Sequence, residues 1–85
     1  MVIATALIAN PELGDLIRGT GGLRKARWSA KGRGKRGGVR VIYYWITKRG
    51  QVLMLVIYPK SARDDLTADG RRLLAKLVER ELANG

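Results

Sequence analysis

The spacing of apolar residues changes period along the chain, and each change marks an element. Val2, Ile3, Ala6 and Leu7 recur at helical spacing and predict a short amphipathic helix over residues 1–9. Asn10-Pro11 stops it, because a residue that precedes proline is steered away from the α region. Pro11 to Gly14 reads as one turn. Asp15-Leu16-Ile17 then leads into Gly19-Thr20-Gly21-Gly22, whose three glycines permit a tight bend with positive φ. From Leu23 to Ala30 the period is two, which predicts a strand with Leu23, Lys25, Arg27 and Ser29 on one face and Arg24, Ala26, Trp28 and Ala30 on the other. Lys31 to Gly38 is a glycine-basic loop. Val39 to Thr47 is the strongest strand signal, rich in β-branched and aromatic residues. Its faces are Val41, Tyr43, Trp45 and Arg40, Ile42, Tyr44, Ile46.

Lys48-Arg49-Gly50 is a hairpin turn into Gln51 to Tyr58, a nearly continuous apolar strand. That continuity predicts a central place in the sheet, covered on both faces. Strict alternation puts Val52, Met54, Val56, Tyr58 and Lys60 together, and Pro59 ends the strand. Thr67 is the expected N-cap of a helix from Ala68 to Ala83. Leu73, Leu74, Leu77, Val78 and Leu82 form its apolar stripe, expected to pack on the sheet. The whole reads as one domain, residues 1–85, of α+β class. A small antiparallel sheet of about three to four strands is flanked by an N-terminal and a C-terminal helix.

Composition narrows the function. Hydrophobic residues make up 46% of the 85, too many for a disordered chain despite its charge. A formal net charge of +10 on so small a domain attracts polyanions. Nucleic acid, an acidic protein and an anionic membrane surface are the candidate partners. No run of about 18 apolar residues exists to span a bilayer. Met1 to Ala9 lacks the basic start and long apolar core of a secretory signal. Cys and His are both absent. That removes disulfides, thiolate metal sites and the commonest general base, and leaves Lys, Arg, Tyr or a carboxylate for any chemistry. No metal or cofactor is expected.

The charge is concentrated. Gly19 to Tyr44 holds eight of the seventeen Lys and Arg, seven of the eleven glycines and no acid. Gly32-Arg33-Gly34-Lys35-Arg36-Gly37 has the letters of a dinucleotide fingerprint, but a strand follows where that motif opens a helix. Lys31, Arg33, Lys35 and Arg36 instead form either a clamp on a phosphate backbone or a merely solvated hairpin. Arg24, Lys25, Arg27 and Arg40 lie on strands, which fix side chains better than loops do. If Arg40 lies beside Lys25 and Arg27, the three converge on one patch. Tyr43 and Trp45 read as core residues with a polar tip at the surface, while Tyr44 and Trp28 are open to stacking on a base as well as to packing. Tyr58-Pro59-Lys60 would place a proton-transferring group at the mouth of a sheet that carries Arg40.

The run GDLIRGTGGLRKARW, then KGRGKRGGVRVIYYW, then IYPKSARDDLT resembles the HigB branch of the RelE-like toxins of bacterial type II toxin–antitoxin systems, over about Asn10 to Glu81. The resemblance implies a RelE-like fold and a cytoplasmic, metal-independent, ribosome-dependent endoribonuclease. Such an mRNA interferase cuts mRNA in the ribosomal A site by attack of a 2′-OH on the adjacent phosphate. It implies catalytic roles for Lys25, Arg27, Arg40, Tyr58 and Lys60, with acid and base unassigned among them. It implies RNA contacts, ribosomal RNA included, for Arg24, Lys31, Arg33, Lys35 and Arg36, and a cognate helix-turn-helix antitoxin as partner. Two alternatives stay open: a basic RNA-binding remnant without turnover, and a gyrase inhibitor of the related ParE type.

The sequence departs from the branch in two ways. A strand and most of a helix that usually precede the position of Val2 are missing, so either the start codon lies upstream or this is a shortened form with an unpaired sheet edge. Gly70 stands where the family often has an acid, which would complete a capping box with Thr67.

Overall fold

A computed structural model describes residues 3–28, 38–59 and 67–84. The elements run α1 (Ile3–Ala9), β1 (Asp15–Leu16), β2 (Leu23–Trp28), β3 (Val39–Ile46), β4 (Gln51–Pro59) and α2 (Ala68–Asn84). The strands form one antiparallel sheet in the order β1-β2-β3-β4. The chain is therefore α+β, with one helix from each end of the sequence against the sheet.

Each face of the sheet builds its own core. On one face Leu7 of α1 packs with Ala26, Val41 and Tyr43, joined by Ile3, Val39, Val52 and Met54. On the other, Leu74 and Val78 of α2 pack with Leu23 and Ile42, joined by Ile17, Tyr44, Leu55, Val56 and Tyr58. Strand β3 supplies both layers by alternation, which is why Val41, Ile42 and Tyr43 are all completely buried.

Three features differ from the expectations. First, the sheet has four strands, within the three to four expected, but the fourth is Asp15 and Leu16, which pair with β2 although nothing in their pattern announces a strand. Tertiary hydrogen bonds make it. The Ile17 N–H donates to the Leu23 carbonyl at 2.8 Å. The buried Thr20 hydroxyl donates to the Ile17 carbonyl at 2.6 Å and accepts from the Leu23 N–H at 3.1 Å. Gly19 and Gly21 (φ 76° each) and Gly22 (φ 126°) turn the chain between these anchors, as the glycine pattern predicts.

Second, β4 is an edge strand, not a central one. Its residues are half-buried at best, and Ile57 is 55% exposed. The apolar run in β4 has a different origin, a bulge. Ile42 pairs with Val56 but Tyr43 pairs with Met54, so Leu55 is the unmatched residue. The bulge turns Leu55 and Val56 to the α2 side together and splits the expected single face. Val52 and Met54 go to the α1 core, while Val56 and Tyr58 go to the α2 side.

Third, only two of the five residues of the α2 stripe reach the sheet. Leu74 and Val78 are buried, whereas Leu73, Leu77 and Leu82 are exposed. One line of a helix meets a sheet, and no described element flanks α2 on its other side. The N-cap is as expected: the Gly70 N–H donates to Thr67 Oγ1 at 3.0 Å. Among the described residues no helix is long and apolar enough to cross a membrane.

Candidate nucleic-acid interface

Cross-strand register brings the strand cations together. Arg27 of β2 pairs with Arg40 of β3, and Arg40 pairs with Tyr58 of β4. Partners in an antiparallel sheet share a face, so Arg27, Arg40 and Tyr58 form one row across three strands, with neighbouring Cβ atoms about 4.5–5.5 Å apart. Lys25 lies on the same face, two residues along β2 and opposite Ile42. The next positions inward, Leu23 and Ile42, are covered by α2. The α2-side face thus grades from an apolar core to a cationic margin. Arg27 is exposed there; Lys25, Arg40 and Tyr58 are half-buried.

The bulge at Leu55 is what places Tyr58 in this row. With unbroken alternation, the β4 register that sends Val52 and Met54 to α1 would send Tyr58 there too. Nothing in Leu53-Met54-Leu55-Val56 marks a bulge, since no glycine or proline interrupts it.

Two arginines directly opposed on adjacent strands repel each other, at a cost of about 0.2–1 kcal/mol. Among the described residues no carboxylate forms a salt bridge with either guanidinium; Arg49 and Arg72, by contrast, each pair with an acid, Glu81 at 4.0 Å and Asp69. Such a pair is poorly suited to an empty surface and well suited to an anion held between the two side chains.

Arg24 is placed apart from this row. It lies on the α1 face opposite Tyr43, and its Nη1 donates to the Gly14 carbonyl at 2.8 Å. The Tyr43 hydroxyl accepts from the Gly14 N–H at 2.8 Å and donates to the Pro11 carbonyl at 2.6 Å. The polar tip of Tyr43 is therefore spent inside the protein and not at its surface, because the 11–14 turn needs partners for its backbone groups. Tyr44 packs over Gly22, where a Cβ would come within 2.7 Å of its ring. Trp28 is half-buried on the α1 side, at the β2 end of a row that runs through Val39 to Pro59.

One acid enters the cationic face. Asp15 pairs with Lys25, and a shallow hollow of about 320 Å³ is lined by Leu13, Asp15, Lys25, Ala26 and Arg27. Nothing in the sequence pattern singles out Asp15, since the two-residue β1 has no periodicity of its own. Lys31, Arg33, Lys35, Arg36 and Lys60 lie outside the described residues. No protein-family model matches the chain.

Proposed function

We propose that the protein is a ribosome-dependent mRNA endoribonuclease with a RelE-like fold of the HigB kind, the toxin of a type II toxin–antitoxin pair acting in the cytoplasm. The observation that carries this reading is the Arg27–Arg40–Tyr58 row, with Lys25 on the same face. Counterion release at scattered loop charges is enough for binding RNA. A like-charged pair fixed on adjacent strands beside a phenol is more than binding needs, and it matches what phosphodiester cleavage requires.

In that reaction the 2′-oxygen of a nucleotide attacks the adjacent phosphorus, and the 5′-oxygen of the next nucleotide leaves. The products are a 2′,3′-cyclic phosphate and a 5′-hydroxyl. One proton leaves the 2′-OH and one reaches the departing oxygen. Arg27 and Arg40 neutralise the charge that grows on the phosphoryl oxygens, where loss of one preorganised donor typically costs about 10²–10³ in rate. Tyr58 and Lys60 are the proton-transferring groups, and Lys25 contributes a further charge. Lys31, Arg33, Lys35 and Arg36 anchor the protein to ribosomal RNA, and a helix-turn-helix antitoxin holds it inactive.

Induction in a bacterium tests this. Growth should stop, with messages cut inside translated frames, and Arg40→Ala should restore both growth and message integrity while leaving the fold intact. Arrest with intact messages would refute the nuclease reading. Arrest with double-strand DNA breaks would identify a gyrase poison instead, and ribosome association without arrest a binding module.

A further inference from the structure

We infer that Asp15 is a positioning residue for Lys25: it holds the ammonium toward the phosphate that Arg27 and Arg40 neutralise. The inference rests on the endoribonuclease reading above. Asp15 is the sole acid on any described strand, and it sits on the cationic face directly opposite Lys25. Its carboxylate is exposed, so burial does not explain its place.

Much buried structure fixes that place. Gly14, immediately before it, has its N–H held by Tyr43 and its carbonyl by Arg24. A Cβ at Gly14 would lie 2.8 Å from the Lys25 carbonyl carbon and oxygen, so the strand is pressed against the backbone of Lys25 itself. On the other side the Thr20 staple closes the Ile17–Leu23 pair. A two-residue strand so firmly tied presents one polar group to the site, the Asp15 carboxylate.

For a surface that only anchors RNA, this acid is a defect: it subtracts charge beside three cations and lowers affinity for phosphate. For a site that must aim an ammonium it has a use. Lysine is a point charge on a flexible four-carbon stem, and an opposed carboxylate limits where that charge goes. The hollow that Asp15, Lys25 and Arg27 help to line is open to solvent.

The test compares wild type, Asp15→Asn and Asp15→Glu, as full chains, in two assays. One is single-turnover cleavage of a translated message in a cell-free extract; the other is binding of a single-stranded RNA oligonucleotide. Asp15→Asn should cut at least about tenfold more slowly, as expected for lost orientation, with binding unchanged or tighter. Asp15→Glu should recover part of the rate. In a Lys25→Ala background, Asp15→Asn should cause no further loss. Three results would overturn the inference: wild-type cleavage by Asp15→Asn, parallel loss of cleavage, binding and thermal midpoint, or an undiminished effect without Lys25. A wild-type chain that binds RNA but never cleaves it would overturn the endoribonuclease reading itself, and this inference with it.

Discussion

Tyr43 joins three parts of the molecule through a single side chain. Its ring fills the α1-side core, and its hydroxyl satisfies the Gly14 N–H and the Pro11 carbonyl, at 2.8 and 2.6 Å. Through Gly14 it holds β1 against β2. Removing that hydroxyl strands a buried N–H, which costs about 1–3 kcal/mol. Tyr43→Phe should lower unfolding free energy in urea by that amount, although the substitution is nearly isosteric and buries the same ring. An unchanged midpoint would mean that water replaces the hydroxyl. The sequence places Tyr43 in the core by alternation alone, but the destination of its hydroxyl depends on a turn 29 residues away and is not visible locally.

At the scale of elements, the site depends on the pairing of three strands. Opposed Arg27 and Arg40 raise the energy of the unliganded sheet. Arg27→Gln should therefore raise the thermal stability of the free protein slightly, by about 0.2–1 kcal/mol, while weakening RNA binding. Calorimetry with and without a single-stranded oligonucleotide would separate the two effects. The C-terminal helix carries a simpler weakness. Thr67 caps it, but Gly70 stands at a helical position that lacks both side-chain propensity and an acid to answer the cap. Gly70→Glu should stabilise the chain by about 1 kcal/mol, read as a higher midpoint in thermal circular dichroism.

The elements also mark what can be read from this sequence. Helix α1, strands β2 and β3, the glycine bend, the hairpin turn and the Thr67 cap follow from period, turn chemistry and capping, all local signals. That Lys25, Arg27 and Arg40 share a face follows from alternation plus one correct pairing. The bulge at Leu55, the two-residue β1 and the edge position of β4 do not follow, because each is decided by what the strand meets across the sheet. A residue such as Tyr58, whose face depends on the bulge, could be nominated from sequence but not aimed. Asp15 could be neither.

The whole molecule sets a strongly charged surface against an uncharged border. Strand β4, nine residues from Gln51 to Pro59, contains no charged side chain, yet it forms one edge of the sheet. Uncharged, apolar edges pair with other chains. Ile57, exposed on that strand, marks the place to test it: Ile57→Lys should reduce concentration-dependent light scattering without changing RNA binding. The net charge of +10 works in the opposite sense, keeping copies apart and drawing the chain to polyanions. In the function proposed, charge of this kind brings the protein to RNA, and the Arg27–Arg40–Tyr58 row acts on the phosphate there. The most direct measurement of that claim is primer extension on one message, translated and untranslated, in a cell-free extract containing the purified chain. The account predicts discrete cuts within the translated frame, absent from the untranslated copy and lost in Arg40→Ala. Uncut translated message at protein concentrations that saturate the ribosomes, or the same cuts with Arg40→Ala, would contradict it.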